Sequence, residues 1–359
     1  MKLKEFRRKH FSKPTLSMMD TILGIIVIYI IVMIINGLGL LSSSMNSLVA
    51  DVCIYTVVAI ALNLCVGHLG ELSLGHAGFM SVGAFVSASF TQATADAIPN
   101  LGLRFIIALI LGTAVAALFG FLIGIPVLRL NGDYLAIVTL AFGEIIKGLL
   151  NVFYFGVDSK GLHFSFINDN IELEDDGKMI IDGAKGIMGT PHVTNFTIGV
   201  IMTIIALVIC VFLVNSRTGR AIQSIRDNRI AAESIGINIT KYKLIAFTVS
   251  AAIAGTSGVL YSHFLSSVTA SKFDFNLSIL VLVFVVLGGI GSFRGSIIAA
   301  VVLTMLPEVL RSFNLSEYRM LIYAILLIAM MLYNWAPACV DMRTRVKSKL
   351  KSKKSKEVA

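Results

Sequence analysis

Charged residues are scarce in this sequence. They make up 14% of the 359 residues, whereas 56% are hydrophobic, and the mean hydropathy is +0.86. A soluble domain carries about 25% charged residues. The composition therefore excludes an ordinary soluble protein and indicates a polytopic membrane protein.

The sequence also lacks the common catalytic motifs. It contains no G-x-x-x-x-G-K-[ST] phosphate loop, no H-E-x-x-H and no G-x-S-x-G, which are signatures of nucleotide-binding proteins and hydrolases. Its four cysteines, at 53, 65, 210 and 339, show no metal-binding spacing, so we expect neither a metal site nor a disulfide. We expect no catalytic residues, and any ATP that drives this chain must be bound by another one.

Apolar runs recur along the chain. Runs of roughly 17 to 25 residues predict about ten transmembrane helices in an all-α fold, with limits near 21–41, 48–67, 71–91, 104–128, 133–155, 196–215, 243–265, 276–290, 295–311 and 318–335. The run at 21–41 is long enough to be an uncleaved first helix rather than a signal peptide. The eighth and ninth runs share a glycine-rich joint at 287–296, so they form either two full helices or one broken element.

Basic residues are unevenly distributed between the two sides of this predicted topology. With both termini in the cytoplasm, 22 of the 30 basic residues are cytoplasmic, as the positive-inside rule requires. The domains expected are a basic tail (1–20), one transmembrane domain (21–335) and a second basic tail (336–359). The basic residues that give the net charge of +9 are thus expected to face anionic lipid and the cytoplasm. Nucleic-acid binding is not expected.

Two polar loops interrupt the apolar pattern. The outer loop at 156–195 is acidic, and its segment at 168–182 reads as a hairpin or a disordered insert with a turn at Asp176–Gly177; it is either a solvated loop or a docking surface. The cytoplasmic loop at 216–243 predicts two short helices, the second capped by Asp227 or Asn228 and ended by Gly236 in a left-handed conformation. Such a helix is either part of a solvated connector or a binding site for another protein.

Small residues at four-residue spacing mark two helix faces that pack closely. They are Gly112, Ala116, Gly120 and Gly124 in the fourth run, and Ala246, Ser250, Ala254 and Gly258 in the seventh. We expect these faces to pack inside the bundle or between subunits.

Two segments are candidates for the substrate pathway. The glycine-rich opening of the third run bends, breaks or lets a substrate pass close to its backbone, and contains Ser73, Gly75, His76 and Gly78. His76 is either a hydrogen-bonded structural residue or a ligand. In the fifth run, Glu144 and Lys147 are spaced to neutralise each other on one helix face, as a structural ion pair or as a lining of the pathway.

Four stretches resemble the M-type permease subunits of branched-chain amino acid ABC importers. They are 62–85, 134–151, 217–262 and 286–300, beginning LNLCVGHLGELSLGHAGF, YLAIVTLAFGEIIKG, RTGRAIQSIRDNRIAAESIG and VLGGIGSFRGS. The resemblance extends from the second run to the ninth. It implies the ABC importer permease fold in a bacterial cell membrane, with an H-type permease, two cytoplasmic ATPases that use ATP and magnesium, and an extracellular or periplasmic solute-binding protein as partners.

The resemblance also assigns the loop at 216–243 to coupling with the ATPases. Ala231, Ala232 and Gly236 match the AA-x-x-x-G motif of the family, and the residues expected around them are Arg220, Arg226, Asp227, Asn228 and Arg229. Two departures are Arg229, where relatives often carry an acidic residue, and the long acidic segment at 168–182. Alternatives left open are a urea or other small-solute permease, an ion-coupled secondary carrier and, more distantly, a membrane-embedded enzyme.

Overall fold

The computed structural model describes residues 13–37, 43–130, 132–158, 161–166 and 177–312, and the positions 318, 321–322, 324–325 and 328. The chain forms two compact units, Met1–Thr304 and Met305–Ala359. In the second unit, Arg311 and Glu308 form an ion pair. The tail 336–359, most of the tenth predicted run and the acidic residues 167–176 lie outside the described residues.

Helices form most of the described chain. They are α1 (Lys13–Gly37), α2 (Ser43–Asn63), α3 (His76–Ala93), α4 (Leu101–Val127), α5 (Asp133–Asn151), α6 (Phe196–Asn215), α7 (Arg217–Asp227), α8 (Arg229–Ser234), α9 (Ile239–Ser262), α10 (Phe275–Gly288) and α11 (Phe293–Ser312). Among the described residues, 6 helical segments are long and apolar enough to cross a membrane, which makes this a multi-pass protein. Helix α1 begins at Lys13, within the predicted tail at 1–20, and its candidate membrane span is Met19–Asn36.

Helix α9 lies at the centre of the first unit because its small residues let three neighbouring helices approach closely. Gly255 packs against Ala116 of α4, and Gly258 packs against the backbone of α3 at Met80. The stripe of small residues on α4 packs against α9: Gly112 faces Val259, Gly120 faces Ala251 and Gly124 faces Leu244. Ala246 and Ala254, of the second stripe, are fully buried. In a lipid bilayer the hydrophobic effect does not drive helices together, so close van der Waals packing provides the attraction between them.

A five-stranded antiparallel sheet lies at one end of the helices, hereafter the sheet end. Its strands are β1 (Tyr154–Asp158), β2 (Gly161–Ser165), β3 (Lys178–Asp182), β4 (Ile187–Met188) and β5 (Ser267–Val268), in the order β2-β1-β3-β4-β5. The prediction of an all-α chain is therefore wrong for this segment. Aromatic and β-branched residues favour strands here, and β1 pairs with β2 as far as Asp158 and Gly161. The predicted turn at Asp176–Gly177 includes Asp176, which lies outside the described residues.

Two glycine-rich breaks interrupt the bundle at the opposite end. After α2, a short π-helix (Leu64–Leu69) ends at Gly70, whose φ is +81°, and α3 starts only at His76. Between α10 and α11, Gly289 and Gly291 have φ values of +94° and +81°. The eighth and ninth predicted runs are therefore two helices joined by a tight turn.

Candidate functional site

The polar loop at 216–243 folds into the two short helices that the sequence predicts. The Ser216 hydroxyl accepts a hydrogen bond from Gly219 N at the start of α7. Asn228, rather than Asp227, caps α8, because its Oδ1 accepts from Ala231 N at 3.0 Å. Gly236 ends α8 with a φ of +85°, a conformation that glycine adopts without steric cost.

The α7–α8 module presents an apolar surface on a polar loop. Ile230 and Ile235 are 81% and 74% exposed. Ala232, between them in the sequence, is buried against Ile225 of α7 and Ile239 of α9, and this contact fixes α8 to those two helices. Two large apolar side chains exposed on one short helix make this module a candidate contact surface. Arg220 and Arg229 are exposed on the same module.

Arg226 points from this module into the bundle. Its Nη1 donates to the carbonyl oxygen of Gly67 at 2.9 Å, while Nε and Nη2 donate to Asp227 Oδ1 at 3.1 and 2.9 Å. The side chain lies so close to Gly70 that a Cβ there would be 2.5 Å from its Cγ. Arg226 therefore joins the module to the last turn before the first glycine break.

The two glycine breaks are joined to each other. The buried amide of Asn63 accepts from Gly291 N at 3.0 Å and donates to Ser296 Oγ at 2.6 Å. Gly67 touches the backbone of Gly291, where no Cβ would fit. A displacement of α7 would therefore reach both breaks through one continuous set of contacts.

A buried ion pair lies beside these contacts. Lys243 Nζ, near the start of α9, pairs with Glu71 in the first break. The two side chains are 3% and 12% exposed, so the pair is largely removed from solvent. Glu71 N also donates to Cys65 O at 3.3 Å, which fixes the break against the π-helix.

His76 has a hydrogen-bond partner on each ring nitrogen. Ser250 donates to the carbonyl of Ala61 at 2.5 Å, so it accepts from His76 Nε2 at 2.8 Å, and Nδ1 accepts from Ser73 at 3.2 Å. The imidazole is buried. This geometry is that of a hydrogen-bonded structural histidine, the first of the two readings of the sequence.

The glycines beside His76 make close backbone contacts with α5. A Cβ at Gly75 would lie 2.5 Å from the carbonyl oxygen of Thr139, and one at Gly78 would lie 2.8 Å from Gly143 Cα. The Thr139 hydroxyl accepts from Leu74 N at 3.0 Å. Non-helical backbone inside a bundle needs such partners, so these residues hold the break against α5.

Glu144 and Lys147 form an ion pair on α5, with side chains 40% and 25% exposed. Glu144 Oε1 also accepts from Phe275 N at 3.2 Å, so it binds the first turn of α10. The pair stands on a face whose apolar residues are open, since Ile137 and Ile145 are 59% and 60% exposed. The structure thus gives this pair a helix-joining contact and a partly open position.

Among the described residues, no group of three or more His, Cys, Asp or Glu side chains could hold a metal ion. The thiols of Cys53, Cys65 and Cys210 are free and buried. Sequence reasoning missed the links made by Asn63, Glu71 and Lys243. The only available signal was that Glu71 and Lys243 are single charges at the edges of apolar runs.

Comparison with known proteins gives the family. Residues 44–331 match the family model described as branched-chain amino acid transport system / permease component, which is well over half of the chain. The chain belongs to this family. Its glycine breaks, its ladder of small residues and its α7–α8 module are therefore features of a permease component.

The relatives agree with this assignment. The chain is 36% identical over 318 residues to the high-affinity branched-chain amino acid transport system permease protein LivM of Salmonella typhimurium, covering 84% of this chain and 71% of that one. The LivM protein of Escherichia coli is 35% identical over 314 residues, with coverages of 83% and 70%. The permease protein LivH of Escherichia coli is 23% identical over 281 residues, with coverages of 77% and 88%. No solved structure matches the chain.

Proposed function

We propose that this chain is the M-type permease subunit of a binding-protein-dependent ABC importer for branched-chain amino acids. The observation that carries the proposal is the α7–α8 module, which holds Ile230 and Ile235 out for a partner and reaches the glycine breaks through Arg226. The substrate class is that of the LivM relatives, which are branched-chain amino acid permeases. An H-type permease is the proposed second membrane subunit, by analogy with the LivH relative.

The proposed topology places the α7–α8 module in the cytoplasm and the sheet end outside. It keeps both termini inside and about ten spans, because 22 of the 30 basic residues then lie on the cytoplasmic side. Two ATPase subunits, which bind ATP and magnesium, would contact α8. A solute-binding protein would deliver the amino acid to the sheet end.

The proposed coupling step is a displacement of α8 that moves the glycine breaks. Ile230 and Ile235 contact the ATPase. Ala232 packs against Ile225 of α7 and Ile239 of α9, so α8 moves together with these helices. Arg226 transfers the movement to Gly67, and Asn63 carries it to Gly291. Glycine residues at positive φ are suited to act as hinges because their backbone has no Cβ to obstruct rotation.

The open face of α5 is the proposed contact with the second permease and the edge of the substrate pathway. A charged pair such as Glu144–Lys147 costs on the order of 2.5–3.5 kcal/mol per group at the centre of a bilayer. The face that exposes it is therefore better covered by protein or by water than by lipid. The Ser73–Gly78 segment supports this face from behind through Thr139 and Gly143.

Reconstitution tests the proposed function. The chain is placed in liposomes with its second permease, both ATPases and the binding protein, and ATP-dependent uptake of radiolabelled leucine is measured. We expect uptake only when all components and ATP are present. Uptake that persists without the ATPases, or that follows a proton or sodium gradient with this chain alone, would identify a secondary carrier instead.

Gly236→Val is expected to reduce coupled uptake at least tenfold. Valine at a φ of +85° meets the steric penalty of the left-handed region, about 1–2 kcal/mol or more for a β-branched residue, so α8 loses its defined end. The measurement is leucine uptake per ATP hydrolysed by the assembled complex.

The matched control for Gly236 is Gly132→Val. Gly132 has a φ of +60° and, like Gly236, has no atom within 4 Å of the place that a Cβ would occupy, but it lies between α4 and α5. It should show a comparable loss of thermal stability while the uptake per ATP stays near that of the wild type. Equal coupling in both variants would contradict the role given to the end of α8.

Arg226→Ala is expected to separate ATP hydrolysis from transport. Without the guanidinium, α7 loses its bond to Gly67, so ATPase activity should continue while uptake falls severalfold or more. Arg129→Ala, an exposed arginine that follows α4, is the control and should keep both activities. A proportional loss of both activities in Arg226→Ala would show that the residue serves only assembly or folding.

A further inference from the structure

A polar cavity lies at the sheet end, between α1, α2 and α6. Its volume is about 300 Å³, and its lining includes Asn36 at the end of α1, Asn46 near the start of α2 and Asn195 just before α6. These three asparagines lie at or next to the ends of three candidate membrane spans. The cavity is therefore at the level where the hydrocarbon of a bilayer meets the lipid headgroups.

Contacts between the three helices fix the walls of this cavity. Asn46 Nδ2 donates to Asn36 Oδ1 at 3.4 Å, which joins α2 to α1. On the other side, the hydroxyls of Tyr29 in α1 and Thr197 in α6 share a hydrogen bond of 3.3 Å, and the rings of Tyr29 and Phe196 pack with their centroids 5.4 Å apart. The cavity is thus a formed feature of the fold rather than a gap between unconnected helices.

Helix α6 begins in this cavity without a side-chain cap. The first four amide N–H groups of an α-helix have no carbonyl partner within the helix, and the side chain of the N-cap residue Asn195 does not accept from them. Asn195, Phe196 and Thr197 all line the cavity. Because α6 is 20 residues long, its dipole also places a partial positive charge at this end. The N–H donors and the dipole together favour an anion here.

A buried hydroxyl in the wall of the same cavity indicates a ligand independently. Thr194 lines the cavity and is fully buried, and its Oγ1 forms no hydrogen bond with any described residue. Its backbone is fixed, since Thr194 N donates to the carbonyl of His263 at 3.1 Å. Buried polar groups normally find partners, so a ligand in the cavity that accepts a hydrogen bond would satisfy this one.

We propose that this cavity binds the phosphate of a membrane phospholipid at the N-terminus of α6. The phosphate oxygens accept charge-assisted hydrogen bonds from the first N–H groups of the helix and from the Thr194 hydroxyl. Met33 and Ala50 supply an apolar part of the lining, against which the acyl chains begin. Among the described lining residues none is acidic, so none of them repels the anion. The proposal requires only a multi-pass membrane protein and is independent of the transported substrate.

A phospholipid is favoured as the ligand because one wall of the cavity faces the membrane. Within the candidate span of α1, Met19–Asn36, 0% of the residues are buried inside the chain, and both Met33 and Asn36 of this span line the cavity. Lipid therefore has direct access from the side of α1. A bound phospholipid would also attach α1 to α2 and α6, in addition to the contacts of Tyr29.

The test measures the binding of lipid to the full chain in detergent by native mass spectrometry and by thermal unfolding. Dioleoylphosphatidylglycerol is expected to be retained, and to raise the melting temperature by about 2 °C at about a tenfold excess over its dissociation constant. Dioleoylglycerol has the same acyl chains without the phosphate and should give no shift. Inorganic phosphate at the same concentration should give a smaller shift, because it lacks the apolar contacts.

Two variants distinguish a ligand site from a structural role. Asn195→Asp gives α6 a charged N-cap of a preferred type and repels a phosphate, so it should raise the melting temperature of the lipid-free chain and abolish the lipid response. Thr194→Val should weaken lipid binding about tenfold without lowering the lipid-free melting temperature, because no hydrogen bond within the described chain is lost. Thr190→Val is the matched control: its Oγ1 is also buried without a described partner, but Thr190 does not line the cavity, so lipid binding should be unchanged.

Several results would overturn the proposal. These are no response of the wild type to phosphatidylglycerol, an equal response to dioleoylglycerol, or a full response in Asn195→Asp or Thr194→Val. An equal response to inorganic phosphate would assign the site to a free anion and remove the lipid. If Asn195→Asp keeps the lipid response but weakens capture of the solute-binding protein by the chain in nanodiscs, the cavity receives an acidic side chain of that protein instead.

Discussion

Replacing Gly258 with leucine is expected to prevent the permease from accumulating as a folded, monodisperse protein. Gly258 lies in α9 against the carbonyl of Met80, and a Cβ there would also be 2.9 Å from Ala84 N. These are backbone atoms of a buried helix, so they cannot relieve the clash by a change of rotamer as a side chain could. A leucine must therefore push α9 away from α3 along its length, at a cost of more than about 4 kcal/mol. The measurement is thermal unfolding after size-exclusion chromatography.

Gly24→Leu is the matched control for this variant. Gly24 also lies within a helix, α1, but no atom lies within 4 Å of the position of its Cβ. Leucine there should change the free energy of unfolding by no more than about 0.5–1 kcal/mol, and the change should be favourable because glycine is a poor helix former. Similar yields and melting temperatures for the two variants would show that close α3–α9 packing does not hold the bundle together.

Features with local causes could be predicted from the sequence. The cap at Asn228 and the end of α8 at Gly236 depend on residues within one or two turns, so their residue types were sufficient evidence. The small-residue stripes of α4 and α9 are likewise visible as a four-residue period. Such a period shows that a face packs closely, but it does not show which helix it meets.

Features that join distant parts of the chain could not be predicted. Arg226 and Gly67 are 159 residues apart, and Lys243 and Glu71 are 172 apart. The loop motif contains Arg226 and implies a contact with an ATPase, whereas the structure directs its side chain to the π-helix. The sheet was missed for the same reason, because β5 is a pair of residues that becomes a strand only beside β4.

Arg104, a buried residue near the start of α4, illustrates a different limit. From the sequence, Arg104 is one basic residue at the edge of an apolar run, and its charge alone does not distinguish an interfacial anchor from a buried cation. Only the rotation of α4 about its axis decides between them, and that rotation is set by the contacts of Gly112 and Ala116 with α3 and α9. The ladder of small residues thus determines where the charge points.

Breaking the ion pair between Glu71 and Lys243 is expected to have the second large effect. Glu71→Gln leaves the Lys243 ammonium, 3% exposed, without its carboxylate, and removal of one partner of a buried pair costs about 3–5 kcal/mol. For a protein of this size the melting temperature should fall by about 4–7 °C. Because Glu71 lies in the first glycine break and Lys243 near the start of α9, ATP-driven uptake should fall as well.

The double variant Glu71→Gln with Lys243→Met separates charge from shape. Methionine fills the space of the lysine stem without a charge, so the double variant should recover most of the lost stability, since a buried pair and an apolar replacement are often equivalent in energy. An exposed pair supplies the control: Asp182→Asn removes the partner of Lys185, whose side chain is 69% exposed, and should cost no more than about 1 kcal/mol. If the double variant is as unstable as Glu71→Gln, the lysine is not the source of the loss. If it is stable but still fails to couple uptake to ATP hydrolysis, the pair itself is needed to hold the glycine break in register with α9.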